Sequence, residues 1–86
     1  MPESEEDGVR PATARQAATH LDREPGTIRQ WARRYKARVL GRVGREVVYD
    51  LADLATIEGC IWRGDPVPAT AEDRDELRNQ LGRAAA

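Results

Sequence analysis

The sequence contains few of the residues that support small domains through disulfides or metals. Cys60 is the only cysteine among the 86 residues, so no disulfide can form within the chain, and His20 is the only histidine. One thiol and one imidazole are too few ligands for a tetrahedral zinc site. We therefore expect a protein that holds no metal or other cofactor, depends on packing for its stability and works in a reducing compartment.

Long hydrophobic runs are missing as well. No apolar stretch approaches the roughly 18 residues that a membrane-spanning helix needs, and the first seven residues include four acids, unlike the basic start of a signal peptide. The chain also has no glycine-rich phosphate loop and no set of nucleophile, base and orienting residue. We expect a cytoplasmic protein with no membrane partner, no small-molecule cofactor and no enzymatic activity.

The net charge of −1 hides an uneven distribution. Residues 10–45 contain two acids, Asp22 and Glu24, and ten basic residues, which gives this stretch a formal charge of +8. The ten are Arg10, Arg15, Arg23, Arg29, Arg33, Arg34, Lys36, Arg38, Arg42 and Arg45. A basic block between acidic ends is typical of a domain whose middle faces phosphate. From charge alone, arginines that cover solvated helix faces explain the pattern equally well.

The chain divides into four segments. Residues 1–11 are acidic, contain two prolines and lack apolar periodicity, which predicts a disordered tail. Residues 12–62 carry the periodic patterns of a domain, and residues 63–69, with two prolines and a glycine, predict a linker. Residues 70–86 predict a short amphipathic helix and tail. This helix packs either on its own domain or on a neighbouring copy.

Two helices open the predicted domain. Thr13 and Gln16 have the spacing of a capping box at the start of the first, whose apolar residues are mostly alanines that allow close packing. Asp22 to Glu24 form the turn, and Pro25 lies in the first turn of the second helix, where no hydrogen bond is lost. The buried stripe of the second helix consists of Ile28, Trp31, Ala32 and Tyr35.

A β-hairpin follows the helix pair. Two β-rich runs, residues 39–40 and 46–49, flank a basic segment that contains two glycines. Its tip carries Arg42 and Arg45 and little else. These two arginines indicate either a wing that lies along DNA or an ordinary solvated turn.

A third helix closes the predicted domain. Asp50 caps it, and it runs from Leu51 to about Cys60 with Asp53 and Glu58 on its exposed side. Asp50 and Asp53 are spaced like a carboxylate pair, but capping explains Asp50, and Cys60 near an apolar helix end indicates a buried, inert thiol. The predicted fold is mainly α with a small β-hairpin, ordered α-α-β-β-α, followed by a candidate C-terminal helix.

A family resemblance covers about residues 12–62. The spacing of the helix pair is Thr13-x-x-Gln16-Ala17-Ala18-x-x-Leu21-x-x-x-Pro25-x-Thr27-Ile28-Arg29-x-Trp31, and the basic hairpin and Tyr49-Asp50-Leu51-x-Asp53-Leu54 follow. This series resembles the DNA-binding region of the MerR superfamily, including its small excisionase-like and BldC-like proteins. The resemblance implies a winged helix-turn-helix that binds double-stranded DNA.

The turn between the first two helices departs from that family. Asp22, Arg23 and Glu24 stand where the family usually has a glycine, an apolar residue and a Ser or Thr cap. Aspartate tolerates the left-handed conformation that glycine would supply, whereas Arg23 cannot be buried as an apolar residue is. The turn either keeps the family's position or is shifted by one residue.

The resemblance implies that the second helix enters the major groove. The residues implied to contact base edges are Arg29, Gln30 and Arg33. The residues implied to contact phosphates or the minor groove are Thr27, Arg34, the wing residues Arg42 and Arg45, and Arg15 of the first helix. Because each good base contact contributes about 1–3 kcal/mol of discrimination, one copy has weak specificity. The family's solution, self-association on DNA as dimers or head-to-tail arrays, is expected here too.

Several functions use such a domain. The implied candidates are a transcription regulator, an excisionase-like architectural factor and the DNA-recognition part of a phage small terminase subunit, all associated with the nucleoid or its DNA. A protein–protein interaction module is the alternative, and it leaves the basic hairpin unexplained. The long dimerisation helix and cysteine-rich effector site of full-length MerR regulators have no counterpart in this sequence, so metal or drug sensing is not implied.

Overall fold

The computed structural model describes residues 9–85, with side-chain surroundings as far as residue 83. In chain order its elements are β1 (Pro11–Thr13), α1 (Ala14–Leu21), α2 (Pro25–Tyr35), β2 (Val39–Val43), β3 (Glu46–Asp50), α3 (Leu51–Arg63) and α4 (Ala71–Ala85). The strands form one antiparallel sheet in the order β1-β3-β2. The mainly helical chain with a small sheet agrees with the sequence-based prediction. Residues 1–8 of the predicted tail lie outside the described residues.

Strand β1 is an element that the sequence patterns did not predict. Pro11 pairs with Asp50 and Thr13 with Val48, and the Leu51 amide donates to the Arg10 carbonyl at 2.8 Å. Three residues are too few to display the alternation by which a strand is recognised. The tail predicted over residues 1–11 therefore ends before Pro11, and the start of the domain is held beside β3.

Capping bonds, a proline and left-handed backbone conformations set the bounds of α1 and α2. The Thr13 hydroxyl accepts from the Gln16 amide and the Gln16 side chain accepts from the Thr13 amide, which confirms the predicted capping box. Helix α1 ends at Asp22 with a left-handed φ of 59°, as expected for an aspartate in the glycine position. Helix α2 begins at Pro25, has no side-chain cap from Glu24, and ends at Lys36, also left-handed.

The hairpin turns at Gly44 and Arg45. Gly44 has a φ of +61°, a conformation that favours glycine, and Val43 pairs with Glu46 across the turn. The register shifts between Val39 and Gly41, which marks a bulge in β2.

The core lies where α1, α2 and α3 meet the sheet. Six alanines and four larger residues form its buried cluster: Ala12, Ala14, Ala17, Ala18, Ala32, Ala37, Ile28, Leu51, Leu54 and Ile57. The small side chains let α1 and α2 pack closely, as the sequence predicted. Trp31 and Tyr35 of α2 are partly buried against this cluster, in agreement with their place on the apolar stripe.

Helix α3 is longer than predicted, and it buries one residue that the sequence pattern placed on the exposed side. Asp50 caps it by accepting from the Ala52 amide at 3.1 Å, and it continues past Cys60 to Arg63 before Gly64 ends it. Cys60 is buried, as expected. The prediction that Asp53 lies on the exposed side was wrong, because its carboxylate is fully buried.

Helix α4 packs on its own domain, which resolves the alternative that the sequence left open. It contacts α3, and the Thr70 hydroxyl accepts from the Asp73 amide at 3.0 Å at its start. Arg74 of α4 is completely buried against α3, whereas Leu81 remains exposed.

Candidate nucleic-acid interface

The structure separates the ten basic residues of the block 10–45 into two groups. Arg23 forms an ion pair with an acid of α3, and Arg38 forms ion pairs with acids of β3 and α4. The other eight side chains are exposed, and none forms a salt bridge with an acid among residues 9–83; they are Arg10, Arg15, Arg29, Arg33, Arg34, Lys36, Arg42 and Arg45. Most of the positive charge of the block is therefore presented to solvent, and only Arg23 and Arg38 are paired with acids of the described residues.

Helix α2 carries the densest part of this charge. Arg29, Gln30 and Arg33 are exposed on the side opposite its buried stripe. Arg34 is also exposed, with its guanidinium 5.5 Å from the centre of the Tyr35 ring, and Thr27 is half-buried. The five residues of the second helix predicted to contact DNA thus include four with freely accessible side chains.

A groove runs between α2 and the hairpin. Arg29 of α2 and Arg45 of the hairpin turn line the same cavity of about 170 Å³, together with Tyr49 and one acid, Glu46, of β3. An adjoining cavity of about 480 Å³ is lined by Arg29, Arg33, Lys36 and the β2 and β3 residues beside them. Cationic side chains from two elements that are separate in sequence therefore face one concave surface.

Two predicted site residues, Arg42 and Arg15, do not line the cavities of this groove. Arg42 is paired with Val47 in the hairpin, and paired residues of an antiparallel ladder project to the same face of the sheet. The register thus places Arg42 on the same face as Val47, which lines the groove, but Arg42 also lines a cavity with Leu40 and Val43 on the opposite face of the sheet. Arg15 is exposed near the start of α1, close in sequence to the groove-lining Ala14.

Sequence reasoning missed Lys36 as a site residue. Its exposed side chain lines the groove with Arg29 and Arg33, although it was counted only in the charge of the block. The available signal was its spacing of seven positions from Arg29, which places two residues on nearly the same face only while the helix continues. Lys36 was overlooked because it stands at the helix end, where sequence patterns do not define direction.

Arg38 has more ion-pair partners than any other basic residue of the block. Its guanidinium contacts Asp75 at 2.9 Å, Asp50 at 3.5 Å and Glu72 at 3.7 Å. Hydrogen bonding to Asp75 is the main cause of its raised pKa, and hydrogen bonding from Arg38 likewise lowers the pKa of Asp75. Asp50 is the last residue of β3 and caps α3, and the other two acids belong to α4, so Arg38 is neutralised by residues outside the basic block.

Asp53 is fully buried and accepts hydrogen bonds from three donors. It accepts from Arg74 Nε at 2.5 Å, Arg74 Nη2 at 2.8 Å and the Arg38 amide at 2.8 Å. Burial acts to raise the pKa of Asp53, but the hydrogen bonds from Arg74 and the Arg38 amide outweigh it, so the pKa is lowered. The sequence could not predict this burial, because Arg74 belongs to a helix whose docking site no local pattern reveals.

The turn between α1 and α2 has its own long-range partner. Arg23 Nη2 donates to Glu58 of α3 at 2.9 Å, and its guanidinium lies 5.5 Å from the centre of the Trp31 ring. Glu58 was predicted to lie outside and is in fact partly buried. The pair explains how the turn accommodates an arginine where the resembled family has an apolar residue.

Other features of the described residues bear on rival chemistries. No helix within residues 9–85 has the length and apolar character required to traverse a bilayer. In the same part of the chain, no three His, Cys, Asp or Glu side chains are grouped as metal ligands. His20 is exposed and Cys60 is buried, with Arg63 Nη2 as the nearest polar contact of the sulfur at 3.9 Å.

No protein-family model, curated protein sequence or solved structure matches this chain. The MerR-like resemblance therefore stays a prediction from the residues themselves.

Proposed function

We propose that the protein binds double-stranded DNA as a winged helix-turn-helix, with α2 in the major groove and the β2–β3 hairpin as the wing. The observation that carries the proposal is the convergence of Arg29 and Arg45 on one groove. The exposure of eight cations without salt bridges to described acids supports it. A polyanion that spans the groove would contact both elements at once.

The elements have different roles in this proposal. Arg29 and Arg33 have the bidentate geometry that suits guanine O6 and N7, and Gln30 suits adenine. Their position on a rigid helix favours sequence readout. The residues proposed to contact the backbone or minor groove, and so to set orientation, are Thr27, Arg34, Lys36, Arg42, Arg45 and Arg15.

Specific binding by this protein is proposed to require more than one copy. Two or three base contacts at about 1–3 kcal/mol each give a single domain weak discrimination. Self-association on adjacent sites would multiply it. A transcription regulator, an excisionase-like architectural factor and a phage terminase DNA-recognition domain all fit this behaviour, and each would associate with the nucleoid or its DNA.

A protein-interaction role is the second candidate, and one observation favours it. Leu40 and Val43 of β2 are exposed and line a cavity of about 330 Å³ with Val9 and Pro11 on the face of the sheet away from α2. Exposed apolar clusters mark contact surfaces for other proteins. This surface leaves the cationic groove without a role, so we rank it second.

A duplex titration tests the DNA proposal. Fluorescent DNA from around the protein's own gene and random-sequence DNA are titrated at about 50 mM and about 200 mM salt. Arg29→Ala and Arg45→Ala are compared with Arg83→Ala, an exposed arginine of α4 with the same change in charge.

The expected result distinguishes a residue that determines sequence preference from one that contributes affinity for any duplex. Binding weakens steeply with salt, Arg29→Ala loses the preference for native DNA, Arg45→Ala loses affinity for both duplexes, and Arg83→Ala resembles the parent. Absence of binding to either duplex at low salt contradicts the proposal and favours the protein-interaction candidate.

A further inference from the structure

Arg74 has an environment that is unusual for an arginine. It is the largest fully buried side chain of the described residues, with 0% of its surface exposed, and its ion-pair partner Asp53 is equally buried. The contact is bidentate, with Arg74 Nε on Oδ1 at 2.5 Å and Nη2 on Oδ2 at 2.8 Å. Two further N–H groups of the guanidinium donate to backbone carbonyls, Nη1 to Pro68 at 2.9 Å and Nη2 to Lys36 at 3.3 Å.

The Arg74–Asp53 pair also contacts the backbone of the short connection between α2 and β2, residues 36–38. Lys36 is the left-handed residue that ends α2, and its carbonyl accepts directly from Arg74. Two residues later, the Arg38 amide donates to Asp53 Oδ2 at 2.8 Å, on the same oxygen that Arg74 Nη2 contacts. Ala37, between them, is buried. The backbone at both ends of this connection is therefore hydrogen-bonded to one ion pair.

The side chain and carbonyl of Arg38, at the end of the same connection, have partners as well. The Arg38 guanidinium contacts Asp75 of α4 at 2.9 Å, and the Arg38 carbonyl accepts from the Asp50 amide at 3.0 Å. Asp75 also pairs with Arg78. Helix α4, which carries none of the groove residues, thus contacts the segment that determines how α2 leads into the hairpin.

A buried ion pair by itself adds little to the stability of a protein. Withdrawing two charges from water costs several kcal/mol per ion, and well-packed apolar side chains of similar size often do as well or better. What a guanidinium supplies in addition is a planar fork of donors with fixed directions. In this protein those donors fix two backbone carbonyls and a carboxylate relative to one another.

We propose that Arg74 is a positioning residue of the DNA interface, which sets the orientation of α2 relative to the hairpin through Asp53 and the Lys36 carbonyl. The separation of Arg29 from Arg45 across the groove follows from that orientation. The inference depends on the DNA-binding function proposed above for its consequence, but its geometric part can be measured without DNA.

The substitution that isolates this role is Arg74→Lys. Lysine keeps the positive charge beside Asp53 but replaces the planar fork with a single ammonium that cannot reach both carboxylate oxygens and both carbonyls. Arg83→Lys, at an exposed site of the same helix, is the matched control. A second variant, Asp53→Asn with Arg74→Gln, removes both charges together and carries the same test if lysine prevents folding, since neither charge is left unpaired.

Two measurements are made on the full chain. Residual dipolar couplings of backbone amides in α2 and in the hairpin give the relative orientation of the two elements, and hydrogen exchange of the Arg38 amide reports its bond to Asp53. Titrations with native and random duplex then give the ratio of the two affinities. Thermal unfolding establishes that each variant is folded at the temperature used.

We expect a changed or averaged orientation, faster exchange at Arg38, and a drop of about fivefold or more in the affinity ratio, equivalent to loss of one base contact. A folded variant that is less stable but keeps the orientation would show a merely structural role and overturn the proposal. A changed orientation with an unchanged ratio would overturn its link to DNA. If the parent itself binds no duplex, the proposed function fails, while the couplings still decide whether Arg74 positions α2.

Discussion

Arg74 of α4 and Asp53 of α3 form a two-point ion pair from which solvent is excluded on both sides. Removing one partner leaves an uncompensated buried charge. We therefore expect Arg74→Met to lower the free energy of unfolding by about 3–5 kcal/mol, and Asp53→Leu with Arg74→Met to recover part of the loss. Recovery is partial because the Arg38 amide and the Lys36 and Pro68 carbonyls lose their partners in the double variant. Urea denaturation followed by circular dichroism measures both, with Arg83→Met as the exposed control. Equal destabilisation by the single and double changes would contradict this account.

The stability of the domain should decrease in acid. Hydrogen bonds from Arg38 lower the pKa of Asp75, and those from Arg74 lower the pKa of Asp53 against the effect of its burial, in both cases below the ordinary value of 3.8. A carboxylate with a lowered pKa in the folded state contributes fully above its unfolded pKa, and this contribution is lost as the pH falls through that value toward the lowered one.

We expect the free energy of unfolding to decline as the pH is lowered from about 5 to about 3. Asp75→Asn should flatten part of this decline, because it removes one of the carboxylates that must take up a proton. Asp73→Asn, an exposed acid of the same helix turn, is the control. Urea denaturation at a series of pH values measures the effect, and a slope unchanged by Asp75→Asn would argue against the role given to the Arg38 pair.

Lys36 should contribute to the affinity for DNA through phosphate contact and not to the preference for one sequence. We expect Lys36→Asn to reduce the slope of log affinity against log salt by about one and to leave the preference for native DNA unchanged. Asparagine is chosen because it tolerates the left-handed conformation at this position, where φ is 53°. Arg83→Asn should leave the slope as it is. A lost sequence preference with an unchanged slope would show that Lys36 has a different role.

Gly44 and Gly82 should respond in opposite ways to alanine. Gly44 holds a φ of +61° in the hairpin turn, so Gly44→Ala should destabilise the protein by about 1 kcal/mol or more. Gly82 lies within α4, where an added methyl group meets no atom within 4 Å, so Gly82→Ala should stabilise it by about 0.4–1 kcal/mol. Chemical denaturation of the two variants side by side tests the pair. A stabilising Gly44→Ala would mean that the turn relaxes to another type.

Local interactions account for the features that the sequence determined by itself. Thr13 and Asp50 cap helices by bonds to residues two or three positions away, and Asp22 ends α1 through its own backbone conformation. The stripe of α2 follows from the helical period. Each of these depends on residues within a few positions, so the helices, the hairpin and the chemistry of their exposed faces could be predicted in order along the chain.

Only the tertiary structure decided which polar residues meet across the chain. Strand β1 exists because β3 offers it a partner, and Asp53 is buried because Arg74 arrives from α4 to satisfy it. The same docking neutralises Arg38 and leaves Arg29 exposed, although both belong to one basic block. A charge can enter a protein interior only when its partner is brought there too, and the folded arrangement that brings these partners together leaves no local signature in the sequence.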